Sequence, residues 1–241
     1  MKLLTVFLFL ITVSTAFSQQ NLFNIPSGDI TRDGKFFYQH QINIYSDEFE
    51  SKSHLVYGLG GGWDIGVNLV GKGAYFSPDW RVSYNDNPDR GALYPFLMPT
   101  LQKQFSLADN LDVNLGTQVG FNISSKLSNK ELAFFNYGIG VFHFMDKKSR
   151  IVGGVYHTNT MFVGQGNTIG AMLGYEIKLA DKFYLMGDWI SGNNDSSVGI
   201  FGAMYNIGKQ TQLCLGALVP NPNTPKPFGI VLELNLLGWE L

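Results

Sequence analysis

The residues best suited to chemistry in this 241-residue chain fall into two groups: amides and carboxylates at alternating positions, and four scattered histidines. The first group comprises Gln39, Gln41, Asn43, Asp64, Asn68, Asp112, Asn114, Gln118, Asn122, Asn136, Glu176, Lys178, Glu233 and Asn235. Acceptors outnumber bases in it, so a surface built from these side chains suits binding or passage of small polar or cationic solutes. Among the histidines, His157 precedes Thr158-Asn159-Thr160, which sets a base beside two hydroxyls. A nucleophile must lie within hydrogen-bond reach of its base, but on a strand Thr158 and Thr160 point to the face opposite His157. His157 therefore reads as an interfacial or loop-packing residue. His54 and His143 lie on separate segments, no cluster has metal-ligand spacing, and no cofactor is expected. The run Asn85-Asp86-Asn87-Pro88-Asp89-Arg90 is dense in oxygen ligands but lacks the Gly and terminal Glu of a calcium loop. Gly58 to Gly62 lacks the Lys-Ser/Thr of a phosphate loop and reads as a tight turn.

The elements that must position the first group are strands. Between Asn110 and Ile123, Leu111, Val113, Leu115, Val119, Phe121 and Ile123 alternate with Asp112, Asn114, Gln118 and Asn122, which gives one apolar and one wet face. The same two-faced pattern recurs along the chain. It predicts twelve strands, near 35–46, 52–60, 62–71, 93–104, 110–123, 131–145, 149–158, 167–179, 182–191, 196–207, 210–219 and 227–239. Pro95 and Pro99 interrupt the fourth. His40 is out of place, since it shares the apolar face of the first strand with Phe36, Tyr38, Ile42 and Ile44. Connections alternate in length. Short ones fall at Gly60–Gly62, Ser106–Asp109, Met145–Lys148, Ala180–Lys182 and Gly208–Lys209, and the alternate ones, most of them longer, at 47–51, 72–92, 124–130, 159–166, 192–195 and 220–226. The 72–92 segment is the longest. It carries Tyr75, Phe76, Trp80 and Tyr84, with Tyr94 at its edge, and Trp80 to Tyr84 could add a short strand.

Composition narrows the class. Hydrophobic residues make up 45% of the chain and aromatics 14%, yet the mean hydropathy is only +0.02 because the two faces cancel. A net charge of -2 excludes the basic footprint of a nucleic-acid binder. Residues 1–18 read as a secretory signal: Lys2, an apolar run from Leu3 to Val13, then Ala16-Phe17-Ser18, with cleavage expected after Ser18. Residues 19–34 read as a periplasmic lead and 35–241 as one domain. Cys214, the single cysteine, is expected to be packed and unreactive.

A sheet in hydrocarbon must close, because each unpaired edge group there costs several kcal/mol. Long strands, apolar faces free of charge and aromatics near strand ends (Phe36, Tyr38, Trp63, Phe183, Trp189, Trp239) favour lipid over a soluble sandwich. The pattern resembles Gram-negative outer-membrane β-barrel proteins, in the range of twelve-stranded channels and transporters. The carboxyl end from Gly229 through Trp239 to Leu241 is similar to the terminal strand read by the barrel-assembly machinery, though such signals usually finish on an aromatic residue. The resemblance implies an all-β, closed antiparallel transmembrane barrel in the outer membrane. Its expected partners are membrane lipid, the assembly machinery and a small polar solute, with no nucleic acid. The leading function is a narrow pore or solute-binding channel, and the second a structural or surface-interaction barrel without a conducting path. A lipid hydrolase ranks last: the stretch at His157 resembles the His-x-Ser-Asn arrangement of outer-membrane phospholipases, but Asn159 stands where the Ser belongs.

Overall fold

The computed structural model describes residues 21–83, 85, 94–124, 131–224 and 226–239. These residues form β1 (Phe36–Ile44), β2 (Glu48–Gly60), β3 (Trp63–Tyr75), β4 (Arg81–Ser83), β5 (Phe96–Ala108), β6 (Leu111–Asn122) and β7 (Leu132–Phe144). After them come β8 (Ser149–Thr158), α1 (Thr160–Val163), β9 (Ile169–Ala180), β10 (Phe183–Ile190), β11 (Val198–Asn206), β12 (Thr211–Pro220) and β13 (Gly229–Trp239). Twelve strands close into an antiparallel barrel, with β3 pairing to β5 and the seam made by β1 with β13. The extra strand, β4, covers only three residues and pairs with Gly73–Tyr75 of β3 beyond the ring. It does not span, so the expected count of twelve holds.

Period-two patterning decides which way each strand faces. Leu115, Val155, Ile169, Phe201 and Ile230 lie on the outward face and are more than half exposed. An apolar exterior of this extent suits acyl chains and not water. Aromatics gather at the strand ends: Phe36 packs on Tyr57 and Trp239, with centroids 4.9 and 5.3 Å apart. His40 is outward as well. Its Nδ1 lies 2.9 Å from Oγ of Ser53, the residue directly across on β2, so the pair satisfies its own polar groups on a greasy surface.

One end of the barrel carries tight turns. Gly60, Gly61 and Gly62 take φ of 77°, 57° and 77°, which L side chains avoid. At the other end are the long connections. Residues 84, 86–93, 125–130 and 225 of those connections lie outside the described residues. Pro99 is tolerated because the β5–β6 ladder passes over it, pairing Leu97 with Phe121 and resuming at Thr100 with Gln118 in the same register.

The segment expected as an external lead corrects the reading of the sequence. Over 21–33 the chain runs inside the barrel, entering at the tight-turn end where Gly34 N donates to Gly58 O (3.0 Å). Its apolar residues explain why. Leu22, Phe23 and Ile25 are at most 1% exposed, in one cluster with inward residues of β7 to β13 that include Ile139, Val141, Met172, Met186, Ile200 and Met204.

Candidate functional site

The interior segment is fastened by side chains from around the ring. Oδ2 of Asp188 on β10 accepts from three successive backbone N–H groups, those of Phe23, Asn24 and Ile25, at 2.9, 2.5 and 3.0 Å. Lower down, Gln104 and Asn114 donate to Gly28 O at 2.9 and 2.6 Å, and Gln102 donates to Asp29 O at 2.9 Å. The guanidinium of Arg150 bridges Asp29 and Glu176, with Glu176 Oε2 2.8 Å away. Thr31 N reaches Asp64 Oδ2 at 3.2 Å. Much of the polar wall thus serves a polypeptide strand rather than a column of water.

Above this segment, toward the long connections, lies a cavity of about 170 Å³ with two unlike walls. The polar wall comes from inward positions of adjacent strands: Gln39, Gln41 and Asn43 on β1, Glu50, Lys52 and His54 on β2, Asn68 on β3 and Gln118 on β6. Phe96 on β5 and Phe135 on β7 come from the strands on either side of β6, Phe135 in register with Gln118, and Phe162 lies 5.7 Å from each of these two rings. Helix α1 delivers Phe162. It is one turn long, and Asn159 caps it by accepting from Phe162 N at 3.3 Å. Asn21, Phe23, Asn24 and Pro26 form the floor. At the rim, Lys226 pairs with Glu50 and lies over the Tyr45 ring, 5.5 Å from its centroid. Burial disfavours the Lys226 ammonium, but Glu50 more than offsets it and holds the pKa above the usual lysine range. Tyr45 is pushed up as well, first by burial and then by Glu50.

Of the residues the alternation selected, Gln39, Gln41, Asn43, Asn68 and Gln118 meet at this cavity. Asp64, Asn114 and Glu176 hold the segment or its anchor, while Glu233 accepts from Asn235 (2.9 Å) inside the wall. Asp112 pairs with His143 at 2.9 Å and Lys178 with Asp181 at 3.0 Å, both toward the tight-turn end. Asn122 accepts from Ser124 N at 2.7 Å. Asn136 is a correction. It sits in register with Thr117, whose Oγ1 donates to it at 2.6 Å, on the outward face, because β7 turns its odd positions inward. The sequence reading missed Lys52, Asp188, Arg150 and the aromatic wall. Glu50, Lys52 and His54, at i, i+2 and i+4, were a signal for a wet face extending further along β2. His157 faces outward against Phe134, with centroids 5.1 Å apart, while Thr158 points inward and donates to Phe134 O at 2.5 Å. No base–nucleophile contact forms there.

Solved structures share this architecture at low sequence identity. The COG4313 outer membrane channel from Pseudomonas putida F1 matches over 87% of this chain and 97% of its own, at 13% identity and a TM-score of 0.50. Outer membrane phospholipase A from Escherichia coli matches over 87% and 94%, at 12% identity and a TM-score of 0.45. The toluene transporter TbuX of Ralstonia pickettii matches over 87% and 90%, at 9% identity and a TM-score of 0.44. No protein-family model and no curated protein matches the chain. At these identities the likeness is one of fold, and that fold is the closed barrel of outer-membrane proteins.

Proposed function

We propose that this chain is an outer-membrane barrel that captures a small amphipathic solute through the long-loop end and admits it past the interior segment. The observation that carries this reading is the two-walled cavity, set between the long connections and the floor made by Asn21 to Pro26. A mostly apolar pocket with a few convergent polar groups is the usual form of a small-molecule site. The exposed apolar belt supports a membrane location, and the channel from Pseudomonas putida is a barrel of this fold used as a conduit. Residues 21–33 occupy the lumen, so passage requires the segment to shift.

A second reading is favoured by the continuous buried cluster across the lumen: a barrel that binds its solute without conducting. Planar-bilayer recording from the purified, folded protein separates the two. Stepwise current transitions are expected for the conduit. A protein that is folded by its heat-dependent gel mobility yet electrically silent would assign it to binding alone.

A further inference from the structure

The cavity places two donors on a single neutral oxygen. Lys52 Nζ donates to Asn24 Oδ1 at 2.7 Å and Gln41 Nε2 donates to the same atom at 3.2 Å. Burying a charge costs a great deal unless the charge is both paired and hydrogen-bonded, so a buried ammonium is best matched by a carboxylate. The other lysine of the lining, Lys226, has such a partner in Glu50. Among the described residues, Lys52 has an amide in that place. Two other carboxylates of the lumen are hydrogen-bonded to other groups: Asp188 Oδ2 accepts three backbone N–H groups, while its Oδ1 is buried without a hydrogen-bond partner among the described residues, and Glu233 Oε1 accepts from Asn235. His54 lines the same wall two residues along β2.

The same cavity is also lined by Phe96, Phe135 and Phe162. The cavity measures about 170 Å³, and a dry cavity of about 150 Å³ takes up benzene. The space therefore fits one ring or a short alkyl chain with a single polar head.

We propose that the cavity binds a small monocarboxylate with a single-ring or short-chain apolar body, its carboxylate displacing Asn24 Oδ1 from Lys52 and Gln41. This rests on the solute-capture reading and supplies its ligand class. Asn24 acts as an internal surrogate for the ligand head, so arrival of the ligand removes one fastening of the interior segment.

The test is titration of the purified full-length protein, folded in detergent, with sodium benzoate and separately with benzyl alcohol, its neutral counterpart, followed by calorimetry. Benzoate is expected to bind at least tenfold tighter, and Lys52→Gln to abolish that preference while Lys52→Arg keeps much of it. Asn24→Ala, which frees both donors, is expected to tighten benzoate. Asn24→Asp, which supplies an internal carboxylate of the same size, is expected to weaken benzoate at least tenfold and benzyl alcohol little. Should Lys52→Gln fail to show the heat-dependent mobility of the folded barrel, the Asn24 pair decides alone. Equal binding of the two probes, or benzoate affinity indifferent to Asn24→Asp, overturns the carboxylate assignment and leaves the capture site standing. Binding of neither probe overturns both.

Discussion

Asp188 and Arg150 show what single side chains do in this barrel. An aspartate taking three backbone N–H groups on one oxygen fixes the tip of the interior segment, and hydrogen bonds to a charged group contribute about 1.5–3 kcal/mol each. Asp188→Asn keeps the size and removes the charge. It is expected to loosen residues 23–25 by about 2 kcal/mol, read as faster amide hydrogen exchange there with the barrel strands unchanged. Arg150→Met leaves Asp29 and Glu176 facing each other in a buried site. Removing one member of such a network costs about 3–5 kcal/mol, so the temperature at which the folded gel band disappears is expected to fall. The wet-face amides were legible in the sequence from their spacing alone. Their partner was not, because 21–33 has no strand periodicity and reads as a leader. A clue was present in the inward positions Ile139, Val141, Met172, Met186, Ile200 and Met204, which are apolar where a water-filled lumen needs polar groups.

At the scale of elements, close approach of strands depends on where side chains are missing. A Cβ on Gly120 of β6 would lie 2.0 Å from Leu97 O on β5, beside the stretch where Pro99 interrupts the ladder. Gly120→Val is therefore expected to force those strands apart and to abolish the heat-modifiable folded form. The β7–β8 turn offers the opposite case. Met145, Asp146 and Lys147 take φ of 51°, 55° and 60° without being glycine, and left-handed conformations cost L residues about 1–2 kcal/mol each. Asp146→Gly is expected to raise the unfolding temperature modestly, by relieving one of the three. Strand number and most of the alternation in loop length were readable from periodicity and turn residues; the β1–β2 connection, expected at 47–51, is only 45–47 because β2 starts at Glu48. The limits of β5 shifted from 93–104 to Phe96–Ala108: the strand starts after Pro95, which cannot donate to a ladder, and runs on because Ser106 and Ala108 still pair with Asp112 and Leu111. Nothing in the run Asn159-Thr160-Met161-Phe162 announced α1, whose single turn depends on the Asn159 cap and on burial of Val163.

For the whole molecule, the proposed conduction depends on what occupies the ring: residues 21–33 fill it with a cluster continuous with the wall. Deleting 21–33 is expected to give larger and steadier single-channel currents than the intact chain, together with a lower unfolding temperature, since Ile139, Val141, Met172 and Met186 lose the apolar cover of Leu22, Phe23 and Ile25. An unchanged current would mean that solute travels beside the segment rather than in its place. The barrel also zips shut where its earliest strand, β1, meets its latest, β13. A stopper emerging from the secretion pore before any wall exists must wait for the final strand to be delivered, and must already be seated when that seam is sewn. Bulky epitope tags fused ahead of Asn21 would then obstruct biogenesis, whereas the same tags grafted into the 220–226 connection would ride outside the finished cylinder.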